Sequence, residues 1–554
     1  MINIDADIAV MGAGFSGSLI AMLVQRIGLR PVLIDRGSHP RFAVGESSTP
    51  VANLILEGLA QRYDLPRLAP LANYASWKRT YPQIVCGLKR GFSYFHHTLS
   101  HDFQPRIDRS NELLVAASLT NEDADTHWLR SDFDQFLAEE AVRMGIDYFP
   151  LTSIDQLHSR GLGWELNGTT HSTGTDTTND ASSSSTSIPS EPIRITADFL
   201  IDASGEGGFL AKQLGIPPHP EELKTRSRGL YSHFRNVARW GDIYAARGGD
   251  LKGHPYPCDD AALHHVFDGG WMWVLPFDNG VTSAGFALDP DRFPRETSGP
   301  PEVEWQAMMT RLPAVAQQFA GAEPIVPWRQ TGRMQRRLYQ SAGPNWVMLP
   351  NTAAFHDPLH STGNTFTLVG IERLIGILER CWKRPNSPQG TQSHLNCGDM
   401  VRSFGSPFTP SGPGSGTSIR HAELAEELRR YDELVQQEVE FIDLIVSGSY
   451  AGFREFERMI ALSMFYFATA IWSEEERRAG RVAQGAAYLS ANRPELRTAL
   501  NRAIQDLQDP QVTSAELMAR VRSAIEPFNR VGLCNPQLFN MYPYEFTSRE
   551  AAIS

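Results

Sequence analysis

Hydrophobic and polar positions at the start of the chain follow the spacing of strands and helices. The mostly apolar run Asp7 to Met11 leads into the glycine-rich turn Gly12 to Gly17. Apolar residues then recur at intervals of three and four from Leu19 to Ile27, which predicts a helix, and a second apolar run, Pro31 to Ile34, predicts another buried strand. The N-terminal region is therefore predicted to form a βαβ unit that ends on Asp35.

A helical pattern governs the C-terminal part of the chain. Apolar residues three or four positions apart predict one long amphipathic helix: Leu424, Leu428, Tyr431, Val435, Val439, Ile442 and Ile445. The helical character continues to about Val531. Within it, the aromatic run Met464 to Phe467 is typical of core packing, with the wall of a substrate pocket as the alternative.

Two stretches of the chain contain little that could be buried. Residues 167–192 are almost all Ser, Thr, Gly, Asp and Asn, which predicts a disordered surface insertion. Residues 384–417 are rich in Gly, Pro and Ser, which predicts a linker. The expected organisation is thus a module over residues 1–383, the linker, and a helical region over 418–554.

Composition and charge narrow the class of protein. The 554 residues carry a net charge of −12, with a pI of about 5.8, which argues against nucleic acid or an anionic membrane as a partner. The longest nearly uncharged apolar run, Met459 to Trp472, falls short of the ~20 residues that span a bilayer. Five cysteines without a CxxC pair, and acidic Asp5 and Asp7 near the N-terminus, predict a cytoplasmic protein without a signal peptide or a structural metal site.

The glycine-rich turn predicts a nucleotide site. A GxGxxG pattern is a weak signal alone, but here it lies between a strand and a helix, and an acidic residue closes the next strand. In this context Gly12 makes the tight turn, Gly14 lets the backbone approach a pyrophosphate, and Gly17 allows the helix to pack on the strand. Asp35 would accept hydrogen bonds from the ribose.

Four further segments carry a family resemblance. Arg41 to Pro50 resembles the "GES-x-x-P" segment of flavin-dependent halogenases and related aromatic-hydroxylase-fold flavoproteins, and Trp128 to Asp134 resembles their "R-x-x-F/L-D" helix start. Leu200 to Gly205 resembles the "DA-S/T-G" strand end, and Asp357 to Gly363 the late "D-P-x-x-S-x-G" segment. The resemblance covers roughly residues 5–380.

The resemblance implies an α/β protein with the aromatic-hydroxylase, glutathione-reductase-like FAD fold. It implies an antiparallel substrate-side sheet over about residues 85–118 and 216–330, and places the helical C-terminal region on the substrate side. The residues that it assigns to the cofactor are Gly12, Gly14, Gly17, Asp35, Arg36, Arg41, Glu46, Ser47, Arg130, Asp202, Asp357, Ser361 and Gly363.

The segment Gly270 to Pro276 resembles the WxWxIP motif of the halogenases. By that resemblance Trp271, Trp273 and Pro276 wall the passage between flavin and substrate. Taken alone, the alternation predicts a strand with one aromatic face, and plain core packing remains the alternative. Geranylgeranyl-reductase-like flavoproteins carry a similar strand, so this motif does not settle the class.

The halogenases deliver oxidised halide through one lysine, for which Lys78 and Lys89 are candidates. The family lysine is followed five residues later by an aromatic residue; Lys89 meets this with Tyr94, whereas Gln83 follows Lys78. A buried ammonium with a lowered pKa would suit the task. Lys89 is the predicted catalytic residue, and an ordinary surface lysine is the alternative.

The halide site is implied by the resemblance at the backbone amides of Thr362 and Gly363, at a helix start that suits an anion. Tryptophan-type halogenases have a glutamate just before the serine of this motif, where this chain has His360. This departure argues against free tryptophan as the substrate. One interpretation is that His360 orients the catalytic lysine or the substrate. The alternative is that it packs under the flavin loop.

The resulting hypothesis is an FADH2-dependent halogenase that uses O2 and chloride or bromide on an electron-rich phenol, pyrrole or polyketide-type aromatic. Without a second GxGxxG, reduced flavin would come from a separate flavin reductase. Whether the substrate is free or bound to a carrier protein stays open. The alternatives are a monooxygenase or reductase of the same fold acting on an aromatic or isoprenoid, and a degenerate flavoprotein that serves as a binding module.

Overall fold

The structure, a computed structural model, describes residues 1–171, 190–295, 299–383, 418–482 and 486–545. The predicted linker 384–417 lies outside the described residues. The predicted insertion was drawn too wide, because residues 167–171 and 190–192 pair with each other as neighbouring antiparallel strands. Residues 172–189 of that insertion lie outside the described residues.

The first sheet contains the predicted βαβ unit. Its strands in the described ranges are β1 (Ile2–Met11), β2 (Pro31–Ile34), β7 (Asp147–Phe149), β8 (Thr152–Arg160), β9 (Gly163–His171), β10 (Ser190–Asp202), β18 (Ala342–Gly343) and β19 (Trp346–Met348). β1 lies between β2 and β10, parallel to both, with Met11 opposite Ile34 and Asp202. The carboxyl ends of three strands thus meet at one edge, where nucleotides bind in such sheets.

The second sheet corresponds to the predicted substrate-side sheet. Its strands in the described ranges are β4 (Gly91–His97), β5 (Glu112–Ala116), β11 (Arg228–Arg235), β12 (Ala262–Phe267), β13 (Gly270–Pro276), β14 (Val281–Leu288), β15 (Glu323–Pro324), β16 (Arg329–Arg333) and β23 (Met541–Tyr542). The prediction of a purely antiparallel sheet is corrected, since β4 pairs parallel to β12 and β5 parallel to β23. No pattern in the sequence indicated β23, which comes from the far C-terminal part of the chain.

Three short strand pairs join the larger elements. They are β3 (Cys86–Lys89) with β6 (Asp125–Trp128), β17 (Arg336–Arg337) with β20 (Ala354–Phe355), and β21 (Trp382–Lys383) with β22 (Ser418–Ile419). The first pair carries Lys89, the predicted catalytic residue.

The helices include the predicted long amphipathic one. Those described are α1 (Phe15–Arg26), α2 (Pro50–Arg62), α3 (Tyr74–Thr80), α4 (Arg130–Arg143), α5 (Phe209–Leu214), α6 (Trp240–Ala246), α7 (Pro301–Arg311), α8 (Pro313–Gln318), α9 (Pro350–Ala353), α10 (Thr362–Cys381), α11 (His421–Ala451), α12 (Phe456–Arg478), α13 (Pro494–Gln508) and α14 (Ser514–Ile525). All seven predicted apolar positions of α11 are buried, as the spacing required. Among the described helices, none has the length and apolarity needed to cross a bilayer.

The two faces of the second sheet pack against different hydrophobic clusters. Phe92, Tyr94, Trp271 and Trp273 face the large cluster that also includes the first sheet and the C-terminal helices. Alternate residues such as Met272 point to the other face and a separate cluster. The aromatic face of the sheet is therefore turned toward the nucleotide-binding sheet, and burial of each large apolar side chain there contributes about 1.5–3 kcal/mol.

Candidate active site

The glycine turn, Gly12 to Gly17, separates glycines that the fold itself needs from one that it does not. Gly12 has φ of +101°, and a Cβ there would lie 2.6 Å from the Ala203 carbonyl oxygen. A Cβ on Gly17 would lie 1.8 Å from the Gly12 oxygen. Gly14 has an ordinary φ of −67° and its nearest neighbour would be Asp134, at 3.5 Å. Packing within the chain therefore requires Gly12 and Gly17, while the face of Gly14 is left open to a ligand.

The helix behind this turn has an N-terminus suited to an anion. α1 begins at Phe15 with Gly14 as its N-cap, no side chain of the described residues caps it, and its first turn holds no acidic residue. The first N–H groups of a helix lack partners within the helix and carry its positive end. This arrangement fits the pyrophosphate of a dinucleotide.

Asp35 lies at the end of β2, beside the glycine turn. Its carboxylate accepts hydrogen bonds from the backbone of Ala13 (2.6 Å) and Gly37 (2.7 Å) and a two-pronged ion pair from Arg41 (2.5 and 2.8 Å). Burial alone would raise the pKa of Asp35, but these donors outweigh it, so its pKa lies below the usual value. A ribose would have to share this carboxylate with Arg41, while the adjacent Arg36 is exposed.

Arg130 fixes the loop that follows Arg41. Its guanidinium pairs with both oxygens of Asp134 (2.7 and 2.8 Å) and donates to the Gly45 carbonyl (3.1 Å). Asn364, at the start of α10, donates to the carbonyls of Gly45 (3.1 Å) and Ser47 (3.2 Å). The loop is thus held from two sides. The importance of Asn364 was not predicted, because an amide that binds only backbone atoms leaves no pattern in the sequence.

The side chain of Glu46 reaches the second sheet. Only 3% exposed, it accepts hydrogen bonds from His233 Nε2 (2.8 Å) and Ser283 Oγ (2.9 Å). Ser283 Oγ in turn accepts one from Trp273 Nε1 (3.2 Å). Glu46 therefore connects the nucleotide-side loop to the tryptophan strand, a contact that its predicted cofactor role did not foresee.

The next two residues of this loop connect the predicted halide site to the predicted catalytic lysine. Ser47 Oγ accepts a hydrogen bond from Ser361 Oγ (3.0 Å), and the Ser48 carbonyl accepts one from Lys89 Nζ (2.5 Å). Because consecutive Cα atoms are about 3.8 Å apart, these contacts bring Ser361 and Lys89 to one short stretch of backbone. The sequence did not indicate that Ser48 would hold the lysine.

Lys89 and Lys78 have opposite surroundings. Lys89 is fully buried, and the loss of hydration lowers the pKa of its ammonium to about 8 although nearby Asp125 acts to raise it. Its Nζ lies 4.0 Å from the centroid of the Phe92 ring. Lys78 is a third exposed and pairs with Asp278 at 2.8 Å, which raises its pKa. The structure thus excludes the surface-lysine alternative for Lys89.

Polar atoms without partners surround Lys89. Asn53 Oδ1, Asp125 Oδ2 and His127 Nδ1 are buried, and none of them has a hydrogen-bond partner among the described residues. Asp125 lies directly across the β3–β6 pair from Lys89, and Asn53 donates to its other oxygen (2.7 Å). We call these four residues the lysine cluster. Leaving a buried polar atom unpaired costs about 1–3 kcal/mol, so the cluster is suited to receive a polar ligand or water.

The serine turn, Ser361 to Gly363, precedes α10. Ser361 adopts a left-handed conformation with φ of +53°, and the helix begins at Thr362. Thr362 is buried whereas Gly363 is exposed, and nothing lies within 4 Å of a Cβ built on Gly363. The first amides of the helix therefore offer N–H groups to an anion, as the predicted halide role of Thr362 and Gly363 requires.

His360 packs beneath this turn. It is fully buried, with Nδ1 3.1 Å from Tyr94 Oη and Nε2 3.4 Å from Ser449 Oγ. Its ring stacks on Tyr466 of α12 at 4.9 Å, and burial lowers its pKa to about 3. Neutral His360 therefore links the second sheet to the C-terminal helices, and Tyr466 brings the predicted aromatic run to the site.

Asp357 joins three parts of the molecule. Its buried carboxylate accepts hydrogen bonds from Trp271 Nε1 (3.1 Å), Tyr450 Oη (2.7 Å) and Ser227 Oγ (2.5 Å). Asp202, likewise buried, accepts from the backbone N–H of Ser204 (2.9 Å). Both carboxylates accept hydrogen bonds from protein donors and thereby shape their turns, and their contact with the cofactor stays a prediction.

The strand that carries Lys89 lies against the end of the tryptophan strand. A Cβ on Gly87 would lie 2.0 Å from the Pro276 carbonyl oxygen, so only glycine fits there. Trp271 and Trp273 are buried on one face of β13, with ring centroids 5.9 Å apart. The structure thus brings the tryptophans, Pro276 and Lys89 together.

Known proteins that are similar to this chain include halogenases. No family model matches the chain. It is 30% identical to the tetracycline 7-halogenase of Kitasatospora aureofaciens over 363 residues, which are 64% of this chain and 60% of that protein. It is 28% identical to the monodechloroaminopyrrolnitrin halogenase PrnC of Pseudomonas fluorescens over 378 residues, which are 67% of this chain and 61% of that protein. The chain thus spans about three fifths of the length of these relatives.

Solved structures agree over nearly the whole chain. The halogenase PltM in complex with phloroglucinol and FAD matches with a TM-score of 0.75 at 21% identity, covering 96% of this chain and 98% of PltM. The flavin-dependent brominase Bmp2 matches with a TM-score of 0.52 at 17% identity, covering 95% of this chain and 99% of Bmp2. These likenesses show that the chain has the fold of these two halogenases. Three further curated relatives, at 22–24% identity, carry the name flavin-dependent halogenase, and the resemblance predicted from the motifs is confirmed.

Proposed function

We propose that this protein is an FADH2-dependent halogenase acting on an electron-rich aromatic substrate. The observation that carries the proposal is the connection of the serine turn to buried Lys89 through Ser47 and Ser48. A site that oxidises halide at one place and uses it at another needs a short, dry route between them. This loop provides the protein side of such a route.

The glycine turn would hold the pyrophosphate of FAD on the N–H groups of α1, and Asp35 with Arg41 would meet the ribose. Reduced FAD, supplied by a separate flavin reductase, would give two of the four electrons that reduce O2, and chloride or bromide would give the other two as it becomes hypohalous acid. Thr362 and Gly363 would bind the halide beforehand through their backbone N–H groups. Glu46, Arg130 and Asn364 keep the intervening loop in place.

Lys89 would receive the hypohalous acid. Its ammonium can donate hydrogen bonds to the oxygen of that molecule, which leaves the halogen free to meet the ring of the substrate. The ring carbon takes the halogen, and its proton leaves with the oxygen as water. Trp271 and Trp273 would keep the aromatic substrate away from the flavin, so that halogenation takes the place of direct hydroxylation.

The substrate class rests on chemistry and on what the relatives act on. Electrophilic halogen attacks phenols and pyrroles without further activation, and the relatives' names include tetracycline, monodechloroaminopyrrolnitrin and a pyrrole-2-carbonyl group on a peptidyl-carrier protein. His360 occupies the place of a glutamate and is neutral. We therefore propose a phenol, a pyrrole or a polyketide-type aromatic rather than free tryptophan.

The test is to supply FAD, a flavin reductase, bromide or chloride, and a panel of phenols and pyrroles, and to measure product mass. Halogenated product that requires the reductase is expected. Hydroxylated product, or NAD(P)H consumption by the protein alone, would instead show the monooxygenase alternative. Failure to retain FAD on reconstitution would point to the degenerate binding module.

A further inference from the structure

The lysine cluster contains a second ionisable group that the proposed function does not use. Asp125 is 2% exposed and lies opposite Lys89 in the β3–β6 pair. One carboxylate oxygen accepts a hydrogen bond from Asn53, and the other has no partner among the described residues. A buried carboxylate that is only half-satisfied either takes up a proton or is compensated by another group. Burial raises the pKa of Asp125 to about 8, and the charge of Lys89 acts to lower it, so the two groups ionise in the same pH range.

Lys89, which lies across from Asp125, is the only buried lysine among the five whose side chains are described. The chain has six lysines, Lys78, Lys89, Lys212, Lys224, Lys252 and Lys383, and the side chain of Lys383 is outside the described set. Removing an ammonium from water favours its neutral form, and a nearby negative charge opposes that effect.

We propose that Asp125 is a positioning residue whose carboxylate, once ionised, keeps the buried Lys89 protonated as the pH rises. This inference rests on the proposed function, which needs Lys89 as a hydrogen-bond donor. Asn53 contributes by donating to the carboxylate, which favours its charged form.

Other ionisable groups near Asp125 and Lys89 also influence the pKa values of these two residues. They are His127, His264, Tyr466, Glu474, Arg478 and Tyr544. Burial lowers the pKa of His127 to about 3, so it adds no positive charge near neutral pH. The Glu474 carboxylate accepts a hydrogen bond from Tyr544 and forms an ion pair with Arg478. Its negative charge is therefore compensated by Arg478. Asp125 is therefore the carboxylate that acts on Lys89 directly.

The experiment labels the full chain with [ε-13C]lysine, which gives six signals, and assigns Lys89 by Lys89→Arg. The Lys89 signal is titrated in the parent, in Asp125→Asn and in Glu474→Gln as the matched control. Asp125→Asn is expected to lower the Lys89 pKa by about one unit or more, because a nearby opposite charge is lost. Glu474→Gln should leave the Lys89 titration unchanged.

A second variant protects the test against a folding failure. Asn53→Ser removes the donor to Asp125 and should move the Lys89 titration in the same direction by less. Unchanged titration of Lys89 in Asp125→Asn, or in Asn53→Ser should the first variant not fold, would overturn the proposal.

The halogenation assay separates this inference from the proposed function. If Lys89 titrates as expected, the basic limb of the halogenation profile in Asp125→Asn should move to lower pH by the same amount. A shifted titration in a protein that halogenates nothing would reject the proposed function and support the role of Asp125. Normal halogenation with an unshifted Lys89 titration would support the proposed function and reject the role of Asp125.

Discussion

The glycine turn and the lysine cluster are built in different ways. The glycine turn uses backbone from six consecutive residues, and its side-chain-free positions are required by contacts as short as 1.8 Å. The lysine cluster uses side chains from three separate segments, α2, β3 and β6. A site built from backbone is disturbed when a glycine gains a Cβ, but most other substitutions leave it intact. A site built from side chains loses its function when one of its functional groups is removed.

The largest expected effect is at Lys89. Replacing it with Met keeps the buried stem but removes the ammonium, and halogenation should fall by about 10²–10⁴-fold, the scale for a missing catalytic group. Flavin binding and oxidation of reduced flavin by O2 should persist, because the glycine and serine turns do not contain Lys89. Lys89→Arg should also fail, since a guanidinium stays protonated and is not compact. Product mass and flavin oxidation are measured side by side, and a halogenating Lys89→Met enzyme would reject the lysine mechanism.

Substitutions in the glycine turn should affect either the stability of the fold or the binding of FAD, depending on the position. Gly17→Ala should destabilise the fold by more than about 3 kcal/mol, because the new Cβ would meet backbone that cannot yield. Gly14→Val should leave the unfolding free energy nearly unchanged but weaken FAD binding. Urea unfolding and flavin titration of both variants check this. Equal stability losses would contradict the division.

Asp35→Asn should weaken FAD binding by about 1.5–3 kcal/mol, the contribution of a charge-assisted hydrogen bond. The folded-state pKa of Asp35 is lowered, so its contribution to stability is present above its unfolded pKa of about 3.9 and is lost as the pH falls through the folded value. The stability difference between the parent and Asp35→Asn should therefore shrink below about pH 4. A difference that grows on acidification would show that Arg41 does not hold this carboxylate charged.

The smallest effect is expected at Lys78, the matched control for Lys89. Lys78→Met breaks a partly exposed ion pair with Asp278 and should cost less than about 1 kcal/mol of stability. Its halogenation should equal that of the parent. If Lys78→Met were inactive while Lys89→Met worked, the assignment of the two lysines would be reversed.

The sequence predicted most of what depends on local pattern. The βαβ unit, the long helix α11 and the tryptophan strand β13 were predicted because apolar spacing records which side of an element is buried. Lys89 was separated from Lys78 by the family pattern around it. Asp125, Asn53 and Ser48 were not predicted to join Lys89, since cross-strand register and a carbonyl partner depend on the packed structure.

The strand β23 is synthesised long after the strand with which it pairs. β5 ends at Ala116, but its neighbour in the sheet, Met541–Tyr542, follows more than 400 residues later. At a synthesis rate of about 5–20 residues per second, the ribosome needs roughly 20–85 seconds between the two. Throughout that interval the β5 edge is open to pairing with other nascent chains, so release of a prematurely terminated polypeptide would leave an aggregation-prone surface.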